Sequence, residues 1–169
     1  MSAGFAYTGK LYRALNPLWA QQPLSGSGAA AYGGRFNCRG MAALYCSLNP
    51  LTALREANQV GDLQPTTLVA FDAVIERVFD TRDPEALARH RMTSEDLASA
   101  DWRDEMRTLG ACATQRLADE LIAAGHHGLL VRSFARGAGA EDLNLVLWRW
   151  SDGPPSRLNL IDDEGRLAR

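Results

Sequence analysis

Residues 10–14 (KLYRA) alternate polar and apolar side chains, which predicts a first β-strand with Arg13 near its end. Residues 17–31 are rich in Pro, Gly, Ser and Ala and predict a loop. Gly33 and Gly34 then form a turn that allows positive φ or close approach of a ligand, and Arg35 follows on a short extended run. A second extended run, 43–47 (ALYCS), carries Tyr45. Asn49 and Pro50 read as the N-cap and first residue of a helix bearing Glu56. Residues 66–74 (TTLVAFDAV) predict a strand that 77–80 extends or flanks. Asp83-Pro84 opens another helix, and Thr93 or Ser94 caps a third with acids in its first turn. Residues 101–107, dense in charge around Trp102 and Met106, read as a solvated segment with a buried edge.

The clearest helix is 111–124, with Leu117 and Leu121 on one stripe and Gly125 as its stop. A short buried strand at 128–132 (GLLVR) hands over to Ser133. A glycine-rich connection then leads to a strand over 143–150, with Asn144 at its start and Trp148 and Trp150 expected on one side. Residues 157–161 predict a last edge strand. Strands and helices mix without a βαβ beat, which predicts an α+β class and one domain over residues 1–169.

Composition narrows the function. The chain is 46% hydrophobic and 22% charged, as in water-soluble globular proteins, and its net charge of −2 offers no electrostatic footprint for nucleic acid. The first ten residues lack the basic start and apolar run of a signal peptide, and no run approaches a membrane span, so a cytoplasmic location is expected. Cys38, Cys46 and Cys112 are odd in number and widely spaced, without a Cys-x-x-Cys pair, so neither a disulfide framework nor a metal site is expected. Adjacent histidines at 126 and 127 have no third ligand at zinc spacing, and His90 stands in a charged helix and is expected to be exposed. Gly26, Gly28 and Ala31 fit G-x-G-x-x-A, but no apolar strand precedes them and no helix follows, so a dinucleotide fingerprint is rejected.

Taken singly, the chemistry-bearing residues have ordinary readings. Glu56 beside Arg55 in mid-helix is commonly a solvated pair, Tyr45 in an alternating run is commonly core, and a strand-end Ser133 commonly caps a turn. Their order is another matter. Arg13 in LYRA, Arg35 in GGRFN, Tyr45 in ALYCS, Glu56 in TALRE, Ser133 in VRSF and Asn144 in LNLVLW together resemble the RES-domain proteins. That family is named for an Arg, a Glu and a Ser, here Arg35, Glu56 and Ser133, and the resemblance covers about residues 11–150. No functional motif is found over residues 62–110.

The resemblance implies a fold like the ADP-ribosyltransferase toxins, with two antiparallel or mixed sheets, flanking helices, and NAD held in the cleft as co-substrate. It also implies a toxin of a type II toxin–antitoxin pair, partnered by an Xre-type helix-turn-helix antitoxin. Such toxins consume NAD, by transferring ADP-ribose to a protein or by degrading it with water or phosphate as acceptor. A non-catalytic nucleotide- or antitoxin-binding module is the alternative from another class.

The residues suit that chemistry. Breaking the nicotinamide–ribose bond develops an oxocarbenium-like sugar, which one carboxylate, Glu56, can oppose. Nicotinamide leaves as a neutral base, so no general acid is required. Arg35, a rigid fork, suits diphosphate or ribose oxygens, and Arg13 is a second phosphate candidate. Tyr45 offers a stacking face and a hydroxyl at the edge of the site. Ser133 can donate to a carboxamide or ribose hydroxyl, Asn144 is a further anchor, and Gly34 lets the backbone come close.

Overall fold

The computed structural model describes residues 4–59 and 61–167. Five strands close on themselves: β1 (Phe5–Leu15), β2 (Leu44–Ser47), β5 (Leu143–Leu147), β4 (Gly128–Arg132) and β3 (Thr67–Asp80), which pairs back to β1. Among the paired strands of the described residues only β3 and β4 run parallel, and β6 (Arg157–Leu160) adds to the free side of β3. The strands thus form one six-stranded sheet rolled into a small barrel, where two sheets were expected.

β3 serves two neighbourhoods because it changes conformation part-way. Its first half lies between β1 and β6, and at Val78–Asp80 the strand pairs with Gly128–Leu130 of β4, with Val78 still opposite Phe5 of β1. The switch occurs at Arg77, whose φ of +53° is unfavourable for a residue with a Cβ. Its guanidinium offsets that cost by donating to Gly125 O (2.6 Å) and Ala124 O (2.9 Å), at the C-terminus of helix α6 (Ala113–Ala123), where the helix dipole favours a cation.

The strand alternation sorts two cores. Leu11, Phe71, Leu130, Leu145 and Leu147 fill the barrel with Leu44 and Cys46. Leu129, Val131, Val146 and Trp148 face outward, under α3 (Pro84–Arg89), α4 (Ser94–Leu97) and α6. Both faces of β4 and β5 are therefore buried, which explains their nearly unbroken apolar runs. Tyr45 packs against the outer core and Cys46 lies in the inner one, on opposite faces as strand alternation requires.

Several local expectations needed revision. The 17–31 loop contains a 3₁₀ turn (Pro17–Trp19) and helix α1 (Ser27–Tyr32). Residues 102–107 belong to helix α5 (Trp102–Leu109), whose N-cap residue Asp101 makes no side-chain capping hydrogen bond and so gave no start signal. Arg35 sits not on a strand but in a tight turn closed by a Gly34–Asn37 bridge. β5 ends at Leu147, so the tryptophans diverge: Trp148 joins the outer core and Trp150 packs against the inner one. His90 is only partly exposed, with its ring edge-on to Phe79 and Nδ1 3.0 Å from Glu120. The capping predictions at Asn49, Asp83 and Thr93 are all met by side-chain hydrogen bonds.

Candidate functional site

β1 and β2 touch at one register point, Tyr12 opposite Ser47, and then part. Tyr12, Arg13 and Ala14 on one side, and Tyr45, Cys46 and Ser47 on the other, become the walls of a cavity of about 290 Å³. Helix α2 (Pro50–Ala57) lies against both strands and closes the gap with Ala53, Glu56 and Ala57. A second cavity of about 300 Å³ adjoins it, lined by Gly33, Gly34, Arg35, Trp102, Arg103, Arg132 and Phe134. Tyr45, Glu56, Gln59 and Asn144 border both, so they form the waist of a two-lobed cleft. Each lobe is close to the lower end of the range for small-molecule sites, ~300–1,000 Å³.

Glu56 is held asymmetrically. Its Oε1 accepts from Ser133 Oγ and from Asn144 Nδ2 (2.6 Å). The Asn144 amide is oriented by its own acceptor side, because Asn144 Oδ1 accepts a hydrogen bond from the Ser47 hydroxyl at 2.6 Å. Oε2 has one protein donor among the described residues, the amide of exposed Gln59 at 2.5 Å. One oxygen is thus fixed from Ser133, just past β4, and from Asn144 of β5, while the other is covered by an exposed side chain.

Each lobe contains an arginine whose pKa burial lowers below its ordinary value, so the charge in each is poorly solvated. Arg13 donates Nη1 to Pro23 O (2.6 Å), and its buried Nε has no partner among the described residues. Arg35 uses Nη1 for both Leu97 O (3.0 Å) and Ser99 O (2.7 Å). Its guanidinium carbon stands 4.8 Å from the Phe134 ring centroid and 5.6 Å from that of Trp102. Arg35 is therefore partly engaged in tying the α4–α5 connection to the cleft, and only Nη2 and Nε remain for a ligand. The exposed Arg103, like-charged, lowers the Arg35 pKa further.

Tyr45 presents its ring to both lobes, but its hydroxyl is not at the edge of the site. It accepts from Phe36 N (3.0 Å) and donates to Asn37 Oδ1 (2.7 Å), and burial pushes its pKa up. Gly34 is required by that packing, since a Cβ there would lie 2.6 Å from Asn37 Oδ1 and 3.0 Å from the Tyr45 ring. Fully buried Gln115 fastens the turn to α6, its amide donating to Gly34 O (2.9 Å) and Asn37 O (3.0 Å). Gly34→Ala should accordingly destabilise the fold by about 1–3 kcal/mol, the usual range for overpacking. A urea unfolding midpoint equal to that of the unaltered protein would show that the turn yields freely.

All seven residues singled out by sequence border this cleft or bond a residue that does: Ser133 reaches it through Glu56. Gln59, Ser47, Trp102 and Phe134 were missed. The signal for Gln59 was weak: it lies just past the Asn58 C-cap of α2, and only its nearness in sequence to Glu56 points to it. Among the described residues no group of three His, Cys, Asp or Glu side chains could hold a metal ion, and no helix is long and apolar enough to cross a membrane.

An α+β barrel with a carboxylate at the waist of an arginine-bearing cleft defines the class, and comparison with known proteins supplies the family. The RES domain model matches residues 10–168, so this chain belongs to the RES domain family. A chain in the crystal structure of the M. tuberculosis MbcT–MbcA toxin–antitoxin complex is similar in fold, with a TM-score of 0.67 at 19% identity over 95% of this chain and 85% of that one. No curated protein sequence matches the chain.

Proposed function

We propose that this chain is the toxin of a toxin–antitoxin pair that cleaves the nicotinamide–ribose bond of NAD and transfers ADP-ribose to a protein acceptor. The observation that carries this reading is Glu56 at the waist of the cleft, with one oxygen fixed by Ser133 and Asn144 and an arginine in each flanking lobe. A dinucleotide has the matching form: two nucleoside halves joined by a diphosphate. Half-buried, incompletely partnered guanidinium groups favour that anion.

The chemistry follows from the asymmetry of the carboxylate. When Gln59 swings aside, Glu56 Oε2 can accept from a hydroxyl of the nicotinamide ribose. As the C1′–N bond lengthens, its electron pair leaves with nicotinamide, and positive charge grows on the ribose beside a carboxylate already in place. A nucleophile of the acceptor then bonds to C1′ and loses its proton to solvent. Similarity of fold to a chain from a toxin–antitoxin complex supports an antitoxin partner for this chain, for which we propose an Xre-type helix-turn-helix protein.

Incubating the purified protein with NAD, with and without cell lysate, tests the reading. Nicotinamide release with ADP-ribose on protein is the expected result. Free ADP-ribose or its 1″-phosphate would identify water or phosphate as the acceptor instead. Intact NAD in both mixtures would leave a binding module and overturn the enzymatic reading.

A further inference from the structure

Behind the cleft, the two oxygens of Asp142 perform separate tasks. Oδ2 accepts from Gly139 N (2.7 Å) and shapes the loop between β4 and β5. Oδ1 reaches out of the loop to helix α2, where it accepts from Thr52 Oγ1 (2.6 Å) and Arg55 Nη1 (3.0 Å). Thr52 is fully buried and stands one helical turn before Glu56, on the same face. The backbone of Asp142 is equally placed: its carbonyl accepts from Ser133 N at 2.8 Å, and Asn144 lies two residues further on.

One residue thus joins the helix that carries Glu56 to the two strand ends whose side chains donate to Glu56 Oε1. We propose that Asp142, acting through Thr52, is a positioning residue that sets the Glu56 carboxylate against Ser133 and Asn144. A turn-forming aspartate would need only the Gly139 contact. The Thr52 contact adds, beside the Arg55 ion pair, a part-buried hydroxyl–carboxylate bond that ties α2 to the residue whose carbonyl holds Ser133 N. This inference rests on the proposed NAD chemistry for its kinetic consequence, and on geometry alone for the carboxylate's position.

Thr52→Val keeps the shape of the side chain and removes the hydroxyl, leaving the Gly139 contact intact. The expected result is a kcat for nicotinamide release reduced by about ten- to a hundredfold, the scale on which small misplacements act, with KM changed little. Thr52→Ser should restore it. In the Glu56→Gln background Thr52→Val should change the residual rate by less than about twofold, because the two act through one group. A wild-type kcat for Thr52→Val, or an equal fractional loss in both backgrounds, overturns the proposal. If the unaltered protein releases no nicotinamide, the functional reading fails separately. The positioning claim is then decided by the ¹³Cδ NMR resonance of Glu56, which should move in Thr52→Val and return in Thr52→Ser. An unmoved resonance overturns it.

Discussion

Glu56→Gln should give a folded protein that releases nicotinamide from NAD about 10²- to 10³-fold more slowly, the usual cost of one electrostatic group at a developing charge. The amide has almost the shape of the carboxylate, so packing of α2 is retained. What it loses, in the proposed chemistry, is negative charge beside the developing ribosyl cation, and the loss should fall on kcat more than on KM. The ground-state geometry must also be considered. Oε1 accepts from Ser133 Oγ and Asn144 Nδ2, so the new amide will turn its oxygen toward those donors and its NH₂ toward Gln59. There it meets the donor face of the Gln59 amide, which can rotate because the side chain is exposed. Unfolding midpoints should therefore differ little while turnover collapses. Wild-type nicotinamide release by a folded Glu56→Gln protein would remove Glu56 from the mechanism.

Much of this site was legible because its parts carry local signals. Asn49-Pro50 specifies where α2 begins, and that start places Glu56 on the face looking back at β1 and β2. Ser133 and Asn144 follow or open short apolar strands, so their positions at strand ends could be read from β4 and β5. The resemblance joined them in order. What a linear sequence withheld was the partner of each polar atom. Nothing near Arg35 announces that its Nη1 is taken by the carbonyls of Leu97 and Ser99, more than sixty residues away. Nothing near Tyr45 shows that its hydroxyl belongs to the Gly34–Asn37 turn. Those bonds depend on how helices pack, which local propensity does not encode. The two-sheet expectation failed for a similar reason: the closure of β3 onto β1 runs over ten register pairs separated by a long stretch of chain.

Arg35→Lys should weaken NAD binding by about ten- to a hundredfold, although it keeps the charge. Hydrogen bonds to charged groups are worth ~1.5–3 kcal/mol, and the substitution removes directed ones. The guanidinium does two things at once in this cleft. Nη1 holds the Leu97 and Ser99 carbonyls, and the same side chain lines the second lobe, where the proposed function puts the diphosphate. A lysine ammonium is a single point with three donors. If it stays on the two carbonyls it has one donor left and sits too deep to pair with a diphosphate bidentately. If it moves to the ligand, the α4–α5 connection loses its tether, and Trp102 loses the cation 5.6 Å from its ring. Either way one function fails. Titrating NAD into Arg35→Lys and its parent, both in the Glu56→Gln background to prevent turnover, measures the first. Amide hydrogen exchange over residues 94–109 measures the second, and faster exchange there at unchanged affinity would identify Arg35 as a tether only. Equal affinity and equal exchange would mean that a point charge suffices, and the two-task account of Arg35 would be lost.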